Sequence, residues 1–217
     1  MGKQRKGILD GFDGTVGPAI GYSWRGKDCL RAHPTAVKNP RTADQVRARH
    51  RFTECVRLAS HMGAALRVAL HRASLQRHMT ENNLFLRLNN ECFDWQDERL
   101  TVDYARLLLA QGPLAPLRFG SPAMEAGRRI SVPFSTVEDF PAGKYTDFVY
   151  LYAWCPSAQD GTLAPPVYRY QEAVSLLLPA HWEDSPVWLY GWAQEIDGLT
   201  SYSCCIGTLD GQGHHSW

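Results

Sequence analysis

No run of apolar residues in this chain approaches the roughly 20 that a membrane helix needs, so no membrane partner is expected. Met1 to Asp10 is basic and then polar, and lacks the apolar stretch of about 7 to 15 residues that a secretion leader requires. Synthesis in the cytoplasm is the expectation, with any extracellular life reached through particle release or a dedicated apparatus. No C-x-x-C spacing suited to zinc occurs. Cys29, Cys55, Cys92 and Cys155 stand far apart, while Cys204 and Cys205 are adjacent and on a strand would point to opposite faces. Reduced, mostly buried thiols are the expectation.

Nucleotide and hydrolase signatures are missing too. No Walker loop, dinucleotide fingerprint or H-E-x-x-H is present. Gly21-Tyr-Ser23-Trp-Arg25 fails the nucleophile elbow because its second Gly arrives one residue late. Asp10-Gly-Phe-Asp13-Gly lacks the carboxylate spacing and closing Glu of a calcium loop and reads as a turn. His181-Trp-Glu183 places an imidazole and a carboxylate on one face of an extended chain, but acid-base work needs a pocket around them. His214-His215, in a mobile tail from Gly211 to Trp217, is suited only to adventitious metal binding. The expectation is a protein with no catalytic residues, no metal ligands and no cofactor.

The formal net charge is only +1. Residues 1 to 80, however, carry fifteen Lys and Arg against five acids, a net of +10, and the remaining 137 residues carry eight against seventeen, a net of −9. Two functions use such a dipole: head-to-tail contact between subunits, and neutralisation of nucleic-acid phosphates by the basic half. A third outcome is internal pairing or solvation of the charges. Seven Trp and nine Tyr are many for 217 residues and favour a protein with contacts to make.

Thr15 to Trp24 reads as a strand interrupted by Gly17-Pro18, Arg25-Gly26-Lys27 as a tight turn and Asp28 to Ala32 as the returning strand. Pro18 lacks an amide donor and confines its strand to an edge. A two-stranded hairpin is marginal alone in water, so one carrying Tyr22 and Trp24 near its tip needs something to lie against. Thr42 with Gln45 fits a capping box that opens a helix.

The segment Gly21-Tyr-Ser-Trp-Arg-Gly26, Arg31, Pro34 and Lys38-Asn-Pro-Arg-Thr42, with Gln45, Arg49 and Phe52, resembles the opening of a bacterial family of unknown function. Members of that family begin with a Gly-rich segment, Ser-Trp-Lys-Gly and then Lys-Asn-Pro-Arg-Thr; Arg25 here replaces the common Lys. A similar pattern occurs in small virion-associated proteins of phages and prophages. The likeness extends more weakly along the whole chain, through Asp103-Tyr104 and Gln111-Gly112-Pro113-Leu114 to the last strands. It implies no enzymatic activity and carries over no catalytic residues.

From Thr42 a helix is predicted, with Ala48, Phe52, Cys55, Ala59, Met62 and Leu66 in one apolar stripe. Arg47, Arg51, Glu54 and Leu58 fall on the opposite side, with Arg49 and Arg57 at its flanks. Gly63 ends or kinks this helix, and Thr80-Glu81 caps a further segment from Asn82 to Cys92. After Cys92 the period changes. Leu100 to Ala105 alternates, Arg106 to Ala110 reads as more strand, and seven short strands recur between Leu117 and Leu209. Phe148 to Trp154 has little that looks solvent-facing, so it is expected to be central, or to meet the helices or another subunit.

The fold class expected is α+β: an N-terminal β-hairpin and helical segment followed by an antiparallel Ig- or fibronectin-like β-sandwich. Its parts are a flexible basic arm (1–14), the hairpin (15–34), a helical segment (35–99) and the sandwich (100–217). The leading function is a structural, self-assembling protein of a phage-like particle, with Tyr22, Trp24, Arg25 and Arg31 at the assembly interface. Its partners would be copies of itself, other particle proteins and nucleic acid. The alternative is a nucleic-acid-binding accessory protein, with Arg41, Arg47 and Arg51 gripping phosphate or an acidic partner.

Overall fold

The computed structural model describes residues 2–3, 12–36, 39, 41–125, 127–136, 143–182, 185–210 and 215–216. They fall into two units, Met1–Val46 and Arg47–Trp217.

In the first unit β1 (Gly2–Lys3), β2 (Gly14–Val16), β3 (Ala19–Trp24) and β4 (Lys27–Ala32) form one antiparallel sheet in the order β1-β4-β3-β2. The expected hairpin is thus the inner pair of a four-stranded sheet. Gly17 (φ +54°) and Pro18 break the first expected strand into β2 and β3, which leaves β2 at the edge. Arg25 (φ +49°) and Gly26 (φ +71°) make the two-residue β3–β4 turn, in which both positive φ values match the twist of the flanking strands. Gly21 is needed for packing: a Cβ there would run into the ring and carbonyl of Phe12. Of the expected basic arm, Gly2 and Lys3 pair with β4, while Arg5, Lys6 and Asp10 lie outside the described residues, as do Lys38 and Pro40.

Three helices follow: α1 (Ala43–His61), which begins at the end of the first unit, α2 (Gly63–Gln76) and α3 (Glu81–Asn89). Thr42 Oγ1 accepts from the Gln45 amide at 3.4 Å, and Thr80 Oγ1 from the Asn83 amide at 3.1 Å, so both predicted caps satisfy a first-turn donor. The predicted stripe of α1 holds only from Cys55 onward. Cys55, Ala59 and Met62 are buried, but Ala48 is exposed and Phe52 keeps 60% of its surface in solvent. Leu58, placed on the polar side by its spacing, is buried. The reason is a hairpin, β5 (Phe93–Gln96) and β6 (Arg99–Val102), which turns the Leu58 side of α1 inward.

The remaining strands are β7 (Leu117–Phe119), β8 (Ala123–Glu125), β9 (Arg129–Thr136), β10 (Phe148–Cys155), β11 (Asp160–Leu163), β12 (Val167–Tyr168), β13 (Ala173–Leu177), β14 (Val187–Gln194), β15 (Cys204–Leu209) and β16 (His215–Ser216). They make a six-stranded antiparallel sheet, β11-β10-β14-β15-β16 with β12 also on β10, and a four-stranded one, β13-β9-β7 with β8 also on β9. The fold is α+β. Alternation on β10 and β14 divides two cores. Tyr152, Trp154, Tyr190 and Trp192 pack against the helices, whereas Val149, Leu151, Ala153 and Leu189 pack against Ile130, Val132, Val174 and Leu176 of the smaller sheet. The central sheet is covered on both faces, which explains the near absence of polar side chains along β10.

Leu107 to Ala110 does not form the expected strand. Its polar backbone is satisfied by side chains instead: Asn89 accepts from the Leu108 amide at 2.7 Å and donates to the Leu108 carbonyl at 2.9 Å, and Ser203 Oγ accepts from the Leu109 amide at 2.8 Å. Apolar side chains from this segment fill the helix-side core without a strand ladder.

Candidate functional site

The register of β3 on β4 decides how the expected interface residues are displayed. Ile20, Tyr22 and Trp24 stand opposite Arg31, Cys29 and Lys27, and directly opposed residues share a face. Tyr22, Trp24, Lys27 and Arg31 therefore form one aromatic and basic surface, with Arg25 at the turn beyond it. The Arg31 guanidinium lies 5.8 Å from the centroid of the Tyr22 ring, a cation–π distance. Trp24 is 46% exposed. Among the described residues of this unit only Gly21 and Cys29 are buried.

The three arginines assigned to phosphate differ in their surroundings. Arg41 is exposed and precedes α1 by two residues; Arg47 is exposed on α1. Arg51, one turn further, is part-buried and faces Asp94 of β5 at 4.0 Å, so a carboxylate of this chain already occupies it.

A groove between α1 and the β5–β6 hairpin escaped the sequence reading. Its outer part is a cavity of about 350 Å³ beside His50, Glu54, Trp95, Glu98, Arg99, Leu100 and Val102. An inner part of about 200 Å³ shares Glu54, Leu100 and Val102 and continues to Arg57, Tyr104 and Gln159. Arg57 binds Glu54 at 2.7 Å across one turn of α1. The His50 and Trp95 rings sit 5.5 Å apart at 53°, and the Trp95 indole N–H is buried without an acceptor. Burial pushes the Tyr104 hydroxyl up. The available signal was the alternation of Phe93 and Trp95 with Asp94 and Gln96. It was hidden because the turn, Asp97 (φ +46°) and Glu98 (φ +64°), contains no glycine.

His181 and His215, also weighed for chemistry, have local partners. His181 faces Asp160 at 3.3 Å, and Glu183 lies outside the described residues. His215 contacts the Ile206 carbonyl at 2.7 Å, and His214 lies outside the described residues. Cys29, Cys55, Cys92 and Cys155 are buried, Cys205 is part-buried and Cys204 is exposed, all as free thiols. Among the described residues no three His, Cys, Asp or Glu side chains converge as a metal site, and no helix is long and apolar enough to cross a membrane.

No curated protein and no solved structure matches the chain. Residues 11–205 match the model of a family of unknown function, DUF6266, and the chain belongs to that family.

Proposed function

We propose that this chain is a non-enzymatic structural subunit of an ordered multi-subunit assembly, whose copies join through the face bearing Tyr22, Trp24 and Arg31 and the adjoining Arg25. The observation that carries this reading is how little of the first unit is buried among its described residues. A small sheet in which, among the described residues, only Gly21 and Cys29 are buried offsets little of the entropy of ordering its strands, and it leaves Val16 64% and Trp24 46% exposed. The +10 and −9 halves favour a second copy as partner, because the basic part of one molecule complements the acidic part of the next. The likeness of the opening pattern to virion-associated proteins makes a phage-like particle the setting, with other particle proteins as further neighbours and a virion or extracellular particle as the destination.

The test is light scattering on purified protein and on the Trp24→Ala and Arg31→Glu variants at low salt. Oligomers in the parent protein that dissociate in both variants, with circular dichroism unchanged, support the reading. Variants that keep the parent's mass overturn the proposed interface.

The two sheets that share the Ile130 and Val149 core also lead us to propose an Ig- or fibronectin-like sandwich in architecture, with the helices added on its outer face. Inward residues alternating along β9, β10 and β14 support it. Nucleic-acid binding has less behind it. A backbone grip strong enough to be salt-sensitive over several decades uses about 6–10 phosphate contacts, whereas Arg41 and Arg47 are the two exposed members of the expected set and Arg51 faces Asp94.

A further inference from the structure

β13 is the outer strand of the smaller sheet, and its register on β9 runs without a bulge from Ala173 opposite Pro133 to Leu177 opposite Arg129. The Phe134 amide donates to the Glu172 carbonyl at 2.8 Å and the Leu178 amide to the Arg128 carbonyl at 3.0 Å, so the even-numbered residues of this stretch bond towards β9. By the alternation of an antiparallel ladder, the amides and carbonyls of Ala173, Ser175 and Leu177 point the other way. Among the described residues no strand pairs with them. Such a row of donors and acceptors at strand spacing is matched by another extended strand.

The other sheet edges carry the features that discourage pairing between molecules. β12 and β16 are two residues long, β7 and β8 are three residues long with Arg118 and Glu125, and β11 opens on Asp160 and is soon followed by Pro165-Pro166. Strand β13, Ala-Val-Ser-Leu-Leu, has five residues with no charge and no proline. Leu177 at its end is 59% exposed.

Its side chains are also complementary to themselves. With two copies antiparallel about Ser175, Ala173 stands opposite Leu177 of the second copy, and Val174 opposite its Leu176. The first pair covers the exposed Leu177, and the second joins the buried Val174 and Leu176 of one core to those of the other. No charge within the strand opposes another. We infer that β13 is a dimerisation edge, pairing with β13 of a second copy across a two-fold axis at Ser175. The contact is isologous and leaves no edge of β13 free, so it stops at two chains. It stands apart from the basic face of the first unit, since no ion pair takes part.

Sedimentation velocity of the full chain at about 1 M salt tests it, because a Debye length of ~3 Å removes charge-driven association there. The parent protein is expected to contain a two-chain species under those conditions. Ser175→Pro removes the outward amide without taking a bond from β9, and is expected to weaken that dimer about tenfold with circular dichroism unchanged. Because proline also fixes φ, Ser175→Lys and Ser175→Glu form a second arm at about 0.15 M salt. Each alone sets like charges face to face across the axis and is expected to dimerise about tenfold more weakly, whereas an equimolar mixture regains the parent's constant. Recovery on mixing supports a register in which residue 175 meets its own counterpart. A parent protein of one-chain mass at 1 M salt overturns the second copy as occupant of this edge; Lys and Glu variants that dimerise like the parent, or a mixture that stays dissociated, overturn the register. Those results leave the basic-face reading standing, since its species form at low salt. A dimer that persists at every salt with nothing larger at low salt supports the β13 contact and removes the basic face instead.

Discussion

Arg169 and Asp147 form an ion pair at 3.5 Å with side chains 3% and 2% exposed, roofed by the backbone of Gly143, where a Cβ would come within 2.5 Å of the Arg169 guanidinium carbon. The guanidinium also donates to the Ala115 carbonyl at 3.4 Å, and the Arg169 amide to the Asp147 carbonyl at 2.8 Å. The pair thereby ties the start of β10 to the turn after β12 and to the segment before β7. Burial pushes the Asp147 carboxyl up, with the attraction of Arg169 opposing it only in part, and pushes Arg169 down. Removing one partner leaves an uncompensated buried charge. Asp147→Ala is expected to cost about 3–5 kcal/mol in urea unfolding, and Gly143→Ala about 1–3 kcal/mol. Replacing both charges at once, as Arg169→Met with Asp147→Leu, is expected to cost much less than either single loss.

Glu81 gives a pH dependence of known sign. Burial pushes its carboxyl up, but its own backbone amide and hydrogen bonds from His71 at 2.9 Å and Ser74 at 3.3 Å outweigh this and leave it below the usual Glu range. A carboxyl lowered in the folded state contributes stability above its unfolded value, about 4.3, and loses that contribution as pH falls through the folded value. Wild-type protein is therefore expected to exceed Glu81→Gln in stability at pH 6, with the gap closing below about pH 4. Denaturant titrations across that range measure it.

Thiol reactivity follows burial. Burial, with Cys92 as a smaller second cause, pushes the Cys55 thiol up to about 12. At pH 8 its thiolate fraction is on the order of 10⁻⁴, whereas Cys204 lies exposed. Iodoacetamide on the native protein is expected to modify Cys204 first and to spare Cys55 until denaturant is added, as read by peptide mass spectrometry.

Asn89 is fully buried and holds both backbone groups of Leu108, besides donating to the Phe85 carbonyl at 3.0 Å. Asn89→Leu would strand a buried amide and two carbonyls, for an expected loss of about 2–4 kcal/mol at the low end of additive hydrogen-bond costs. Chemical denaturation gives the value directly.

These same residues show where the sequence was readable. The caps at Thr42 and Thr80, the break at Gly63 and the two-sided burial of β10 were legible because local hydrogen bonding and alternation specify them. The segment from Leu107 to Ala110 was not, since its apolar run looks like a strand and only Asn89 and Ser203, remote in sequence, replace the ladder. Helical spacing likewise described α1 but not what covers it. Phe52 stays exposed and Leu58 is buried because the β5–β6 hairpin packs on one side, and that hairpin was hidden by a glycine-free turn. The aromatic and basic face of β3 and β4 was legible in composition; the groove, drawn from residues forty or more positions apart, was not.

Self-association is tested most directly by sedimentation velocity of the unmodified protein over a wide concentration range, at low and at high salt. Assembly between the basic face of the first unit and the acidic C-terminal part of a second copy predicts species larger than one chain at low salt that dissociate as salt is raised. A single species of one-chain mass at the highest concentration in low salt would contradict it.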